Sequence, residues 1–262
     1  MTEKQLAITA ATEAGNFFKQ NLGKISSSDI SSKNPFDYVT EIDKKCEQLI
    51  IDTILREFPE HEILAEETGA SDHKHAHRWI IDPLDGTTNF IHGLPHSAVS
   101  IAHEIEGEII LGVIYDPYRD ELFFAEKERG AYCNNTRLQV SAQQNLNQCL
   151  IATGFPFRNK HLLTKYWQAL SQIFLEVSGI RRTGSATLDL AYVACGRFDG
   201  FWELKLSPWD IAAGHIILIE AGGVICDFNG EQNHIWSGNV VAGNSCAHNF
   251  ILEKVKTIFT EN

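Results

Sequence analysis

Two hydrophobic periods alternate along the chain. Between residues 4 and 22, Leu6, Ala10, Ala14, Phe17 and Phe18 recur every three to four positions, and "NLGK" closes the run with a glycine, a pattern that predicts an amphipathic helix. From Asp43 to Phe58, Cys46, Leu49, Ile50, Ile54 and Leu55 mark one apolar face that ends at Pro59. The intervening "SSSDISSKNPFDYVT" reads as a polar loop. The pattern then shifts towards strands. "HEILAEETG" is a short strand running into two glutamates, and "HRWIIDPLDG" is a second running into two aspartates. "HSAVSIAHEI", "EIILGVIYDP" and "DELFFAEK" follow, separated by turn residues at Glu106-Gly107 and Pro117 to Asp120, and predict an antiparallel meander.

In the second half, "CLIATGF" reads as a strand and "LLTKYWQALSQIFLEV" as a helix. "GIRRTGSATLDLAYVACGR" is a loop feeding a helix, and "DGFWELKL" a strand. "SPWDIAAGHIILIEAGG" is a helix that begins at Ser207-Pro208 and leaves through Gly222-Gly223. "GVICDFNGE" and "NVVAGN" read as closing strands. The first half predicts helices packed on a mostly antiparallel sheet. The absence of a repeat or low-complexity linker predicts one domain, 1–262, with two packed halves of about 1–145 and 146–262.

Composition narrows the function classes. A formal net charge of −12 leaves no basic footprint for a phosphate backbone, so direct nucleic-acid binding is not expected; Arg181 and Arg182 are the densest basic spot. No apolar run approaches the roughly 20 residues that span a bilayer, and the N-terminal stretch lacks a signal-peptide core. A cytoplasmic protein is expected. The six cysteines are scattered without a CxxC pair, which predicts reduced, mostly buried thiols.

Five acids at the ends of four segments carry the candidate chemistry. Glu66 and Glu67 follow "ILA", Asp82 follows "WII", Asp85 follows "PL", and Asp210 follows "SPW". Acids that end apolar segments are costly to bury unless a cation or donors satisfy them. Several oxygen ligands favour Mg²⁺, Mn²⁺ or Ca²⁺, with Mg²⁺ first, and disfavour Zn²⁺. Pro83 restricts the turn between the aspartates and leaves the Leu84 carbonyl as a further oxygen. Gly86 permits close backbone approach, and "GTTNF" is expected to open a helix whose N–H groups would receive an anion. Taken alone, "DPLDG" also reads as a β-turn with capping aspartates, and Asp210 as an ordinary acidic first-turn residue. Their coincidence points to a phosphate ester bridging metals and a helix terminus.

"DYVTEIDKKCE", "LAEETG", "WIIDPLDGTTNFIHGLPHSAVSIA" and "PWDIAAGHIILIEAGG" resemble the inositol monophosphatases. "IATGFPF", "RRTGSATLDLAYVACGRFDGFWE" and "GNVVAGN" are similar to the bacterial branch of that family, and the resemblance covers essentially the whole chain. It implies a layered αβαβα sandwich of mixed α/β (α+β) class and a homodimer. It also implies two or three Mg²⁺ per site and hydrolysis of a phosphomonoester, foremost myo-inositol 1-phosphate, with lithium inhibition.

Carried over by position, the resemblance assigns Glu66, Asp82 and the Leu84 carbonyl to a first metal site. Asp82, Asp85 and Asp210 form a second, and Glu66 also serves a weaker third. Gly86 and Thr87 match the phosphate-binding backbone. Thr87 matches the residue that orients the nucleophilic water, and Asp43 the carboxylate paired with it. Lys33 falls in the loop over the metals. Asp85, Ala186, Glu203 and Asp210 fall where substrate hydroxyls are contacted, and the Ser185 of "RTGSAT" is read as pocket wall.

Rival substrates with the same chemistry are fructose 1,6-bisphosphate, a 3′-phosphoadenosine nucleotide, histidinol phosphate and NADP. A binding role with the transcription machinery is the alternative of a different class. No GxSxG, GxxxxGK[ST] or GxGxxG motif supports a serine hydrolase, kinase or dinucleotide reading. His73, His75 and His77 alternate in a short connection; the spacing could bind a transition metal, but the connection reads as a solvated loop, and no role is assigned to it.

Overall fold

The computed structural model describes residues 1–26, 29–34, 37–71 and 75–260. Helix α1 (Glu3–Asn21) leads into a hairpin of β1 (Ile30–Asn34) and β2 (Asp37–Thr40), then α2 (Glu41–Glu57). The expected polar loop is therefore partly a two-stranded antiparallel sheet, and its alternation is too polar to betray a core face. Lys33 falls in β1, and its side chain lies outside the described residues, as does all of His73.

Strands β3 (Glu62–Ala65), β4 (Gly69–Ala70) and β5 (His77–Asp85) precede a single-turn helix, α3 (Thr87–Ile91). The meander is β6 (Ala98–Ile105), β7 (Glu108–Asp116) and β8 (Glu121–Glu126), extended by β9 (Ala131–Cys133) and β10 (Thr136–Arg137). These strands form an eight-stranded sheet in the order β10-β9-β8-β7-β6-β5-β3-β4. Every described neighbour pair is antiparallel except β3 with β5.

The second half supplies β11 (Leu150–Thr153), α4 (Leu163–Phe174), β12 (Gly179–Arg181), α5 (Ala186–Ala194), β13 (Gly200–Glu203) and α6 (Pro208–Glu220). It closes with β14 (Val224–Cys226), α7 (His234–Ser237), β15 (Val240–Gly243) and α8 (Ser245–Thr260). Its five-stranded sheet runs β12-β11-β13-β15-β14.

Strand alternation decides the layers. On one face of the large sheet, Trp79, Ile81, Val99, Ile101 and Val113 pack against Leu6, Ala10, Phe18, Ile50 and Ile54 of α1 and α2. On the other face, Ile80, Ala102, Ile114, Phe123 and Ala125 meet α5 and α6, which also cover Ala152, Phe201, Val240 and Ala242 of the small sheet. The small sheet's remaining face, Ile151, Trp202 and Val241, packs against Tyr166 and Ile173 of α4 and Ala247, Ile251 and Val255 of α8. The order is αβαβα, as the resemblance implied. α5 and α6, buried from both sides, carry apolar residues all round rather than a stripe. All six cysteines are free thiols, and Cys46, Cys149 and Cys226 are buried.

Candidate active site

The "DPLD" segment acts through a register shift. Asp82 pairs with Ser100 and Asp85 with Ala98, so three steps along β5 span two along β6. In a regular strand residues i and i+3 point to opposite faces; one extra residue restores their parity. Pro83 sits in the irregularity, where a missing N–H costs no ladder bond. The Leu84 N–H donates to Asp82 Oδ1 at 3.0 Å and closes the turn.

Asp210 comes from the first turn of α6. Its Oδ2 accepts the Ser207 N–H at 2.7 Å, so the carboxylate caps the helix and also faces the cleft. Asp82, Asp85 and Asp210 each present an oxygen, all within 4.8 Å of one another. Asp85 is oriented from the other half of the chain. Its Oδ2 accepts from Ser185 Oγ at 2.6 Å and from the Thr187 N–H at 2.8 Å, leaving Oδ1 for the shared space.

Burial, followed by mutual repulsion with Glu66 and the neighbouring aspartates, pushes the Asp82 and Asp210 carboxyls well above the usual range. Burial likewise raises Asp85, against the donors from Ser185 and Thr187. Such acids cannot all ionise side by side without a cation. An all-oxygen, hard donor set fits a divalent ion of the Mg²⁺ type and not a soft one.

Glu66 lies in the turn after β3 and lines the same cleft, although it stands outside the tight trio of aspartates. Its N–H donates to Ile81 O at 3.2 Å. The turn is held by Glu47 of α2, a buried acid whose two oxygens accept the Glu67 and Thr68 N–H groups at 2.8 Å each. Sequence reasoning missed Glu47; the signal was an acid on the apolar face of a helix.

Gly86 caps α3 with φ of 92°, a left-handed conformation. A Cβ there would also crowd His96 O and Ser97 Oγ, so the glycine is doubly required. The first N–H groups of α3 have no intrahelical acceptor, and Gly86, Thr87 and Thr88 line the cleft. Thr87 Oγ1 lies 3.1 Å from both Asp43 Oδ1 and Leu84 O. Asp43 does not line the cleft; it is fully buried behind Thr87, where its Oδ2 also accepts from the Thr40 N–H at 2.9 Å and the Thr40 hydroxyl. Burial raises its carboxyl to about 6 despite those donors.

Ala186 and Glu203 line the same cleft. Glu203 ends β13, and burial pushes its carboxyl up to about 8. The carboxylate occupies the space a side chain at residue 154 would fill, so the glycine of "IATGF" is what admits it. Arg158, Arg182 and Asp189 also line the cleft; the sequence marked Arg182 only as part of its densest basic spot and placed none of the three at the site. Arg182 is held over the Phe157 ring at 5.2 Å. Asp189 is pushed well up by burial and accepts from Thr183 Oγ1 at 2.7 Å.

A five-layer sandwich with clustered carboxylates at a strand irregularity, facing the start of a short helix, defines a metal-dependent phosphatase. The family model of the inositol monophosphatase family matches residues 2–259, and the chain belongs to that family. Among its relatives, the "Nus factor SuhB" of Escherichia coli (strain K12) is 48% identical over 240 residues, covering 91% of this chain and 90% of that protein. The "Inositol-1-monophosphatase" of Mesorhizobium japonicum is 45% identical over 250 residues, covering 95% and 94%. The crystal structure of the extragenic suppressor protein suhB from Bartonella henselae superposes with a TM-score of 0.91 at 43% identity, covering 96% of this chain and 97% of that one.

Proposed function

We propose that this chain hydrolyses myo-inositol 1-phosphate to inositol and phosphate in the cytoplasm, as a homodimer that lithium inhibits. The observation that carries the chemistry is the trio of aspartate oxygens within 4.8 Å, beside the opening turn of α3. Two or three Mg²⁺ ions held by Glu66, Asp82, Asp85, Asp210 and the Leu84 carbonyl would acidify a coordinated water and offset charge on the leaving oxygen.

The chain's own groups do the positioning. The N–H groups of Gly86 and Thr87 receive phosphate oxygens. Whether the Thr87 hydroxyl donates to Asp43 or to Leu84 O, its hydrogen is engaged, so its oxygen accepts from the attacking water. Glu66 is the second acceptor that aims this water at phosphorus. Asp43 holds Thr87 in that role. Glu203 hydrogen-bonds ring hydroxyls, with Asp85 and Asp210 reaching others, while Ala186 leaves room for the ring. A polyol is favoured because Glu203 and Ala186 bring a carboxylate and a methyl group to the same cleft as the aspartates.

The test is phosphate release from myo-inositol 1-phosphate with and without Mg²⁺, for the native chain and Asp85→Asn. Fructose 1,6-bisphosphate, a 3′-phosphoadenosine nucleotide, histidinol phosphate and NADP serve as rivals. Mg²⁺-dependent release that collapses in the variant and prefers the inositol ester supports the proposal; preference for a rival moves the substrate, and no hydrolysis of any ester overturns the activity.

A second reading is favoured by the name of the Escherichia coli relative, a Nus factor: binding of this chain to a protein of the transcription machinery. Such binding would survive Asp85→Asn, whereas catalysis would not.

A further inference from the structure

At the start of β5, at the opposite end of that strand from the carboxylates, three imidazoles converge. The register Glu62↔Arg78 of the parallel pair β3 and β5 sets His61, the residue before β3, beside His77, the first residue of β5. On the other side, His103 of β6 pairs with Trp79, two residues along β5 and on the same face as His77. The pleat alone therefore turns all three rings to one side of the sheet.

We propose that His77, His103 and His61 form a second metal site that takes a divalent transition-metal ion of the imidazole-preferring kind, Zn²⁺, Cu²⁺ or Ni²⁺. One ring nitrogen from each histidine lies within 4.8 Å of the others. His77 Nδ1 and His103 Nε2 are 3.2 Å apart. Two nitrogens bound at about 2.0–2.1 Å to one tetrahedral ion stand roughly 3.3 Å apart, so this pair is already at ligating separation.

The surroundings select the ion. His103 is fully buried, and its other ring nitrogen, Nδ1, has no hydrogen-bond partner among the described residues. With Nε2 at another imidazole and Nδ1 bare, the fold does not use up the ring's donor and acceptor capacity. Trp79 stacks on His103 with ring centroids 4.2 Å apart, and Phe58 on His61 at 4.7 Å. These aromatic walls exclude the water that Mg²⁺ prefers to keep, and they leave nitrogen donors without a carboxylate in the trio. Ligation by His61 displaces the Trp79 indole N–H from its Nδ1, where it donates at 3.0 Å, so His77 and His103 are the primary pair and His61 the weaker third donor. Exposed His75, with its ring centroid 5.4 Å from those of both His61 and His77, stands at the mouth as a fourth imidazole.

Five residue steps of strand separate His77 from Asp82, about 17 Å, so an ion here is remote from phosphate chemistry. It would tie β3, β5 and β6 together at their histidine end.

The test uses Cu²⁺ as probe, added at one equivalent to the full chain in excess Mg²⁺ and read by electron paramagnetic resonance. Nitrogen couplings distinguish imidazole from carboxylate ligation. The couplings are expected in the native chain and in Asp82→Asn, where the carboxylate cluster is broken, and are expected to vanish in His77→Ala with affinity falling at least tenfold. His77 is only half-buried, so that variant folds, and circular dichroism verifies it. Zn²⁺ should raise the melting temperature of the native chain and not of His77→Ala. Oxygen-only ligation in the native chain, or nitrogen couplings that persist in His77→Ala, overturns the proposal, whatever the phosphatase assays give.

Discussion

Ser185 Oγ donates to Asp85 Oδ2 at 2.6 Å, joining residues 100 positions apart in the chain. The first half of the protein supplies the carboxylate; the second half fixes which of its oxygens faces the cation space. Ser185 also caps α5 by accepting the Leu188 N–H at 3.3 Å, so one hydroxyl orients that carboxylate and starts a helix. Removing it leaves the acid present and misdirected. Ser185→Ala should lower Mg²⁺ affinity or turnover about 10–100-fold, as losses of groups that orient metal ligands do. Titration of activity against Mg²⁺ checks this, and an unchanged curve would show that the Thr187 N–H suffices.

Gly154 and Glu203 are related by exclusion. A methyl group at residue 154 would overlap the Glu203 carboxylate. Gly154→Ala should therefore displace Glu203 while leaving the aspartate trio intact. The expected outcome is a raised KM for the inositol ester, with little change for a small phosphomonoester lacking ring hydroxyls. Equal losses on both substrates would mean that Glu203 serves the metals rather than the polyol.

The carboxylate cluster makes a signed statement about pH. Asp82, Asp85 and Asp210 have folded-state values raised above their unfolded value of 3.8. Above that pH the folded protein holds more protons than the unfolded chain, so the stability these groups confer in the acid form is lost as pH rises. A cation reverses the effect by stabilising the charged form. Melting temperatures compared with Mg²⁺ and with EDTA should differ more at pH 8 than at pH 5. A difference independent of pH would mean the acids are ionised without a metal.

Buried histidines give the opposite slope in the Mg²⁺-saturated protein. Burial lowers His234 to about 3 and His215 to about 4, and the two meet at 2.9 Å between His234 Nε2 and His215 Nδ1. Groups lowered from 6.5 let the unfolded chain take up more protons below that pH, so stability is full above 6.5 and falls as pH drops. At pH 5, His234 alone costs about 2 kcal/mol, because each tenfold difference in proton affinity between the folded and unfolded states is worth about 1.4 kcal/mol. His234→Asn should flatten the acid limb of a melting-temperature profile measured in Mg²⁺, and an unchanged limb would assign acid sensitivity elsewhere.

By itself, the sequence determined the local elements and the residue types of the candidate site. Period 3.6 marked α1, α2, α4 and α6 within a few residues, and alternation or short apolar runs marked β5 to β8. The acids at Glu66, Asp82, Asp85 and Asp210 stood out as candidate hard-cation ligands because residue type alone sets ligand hardness. Helix α8 went unread, since its apolar residues followed a strand with no break beyond Asn244.

Only the tertiary structure decided what depends on register and on distant chain. The irregularity at Pro83 and Leu84, which turns Asp82 and Asp85 to the same side, exists through pairing with β6. Glu47 beneath the Glu66 turn, Ser185 on Asp85, and the space at Gly154 for Glu203 join residues that no short motif contains. "HKHAH" read alone as a solvated loop, and for exposed His75 that reading holds. His77 is drawn into a cluster by His61 and His103, whose nearness is set by strand order and not by spacing. Periodicity reports which face a residue takes within its own element; which residues share a site is fixed by how those faces are brought together on folding.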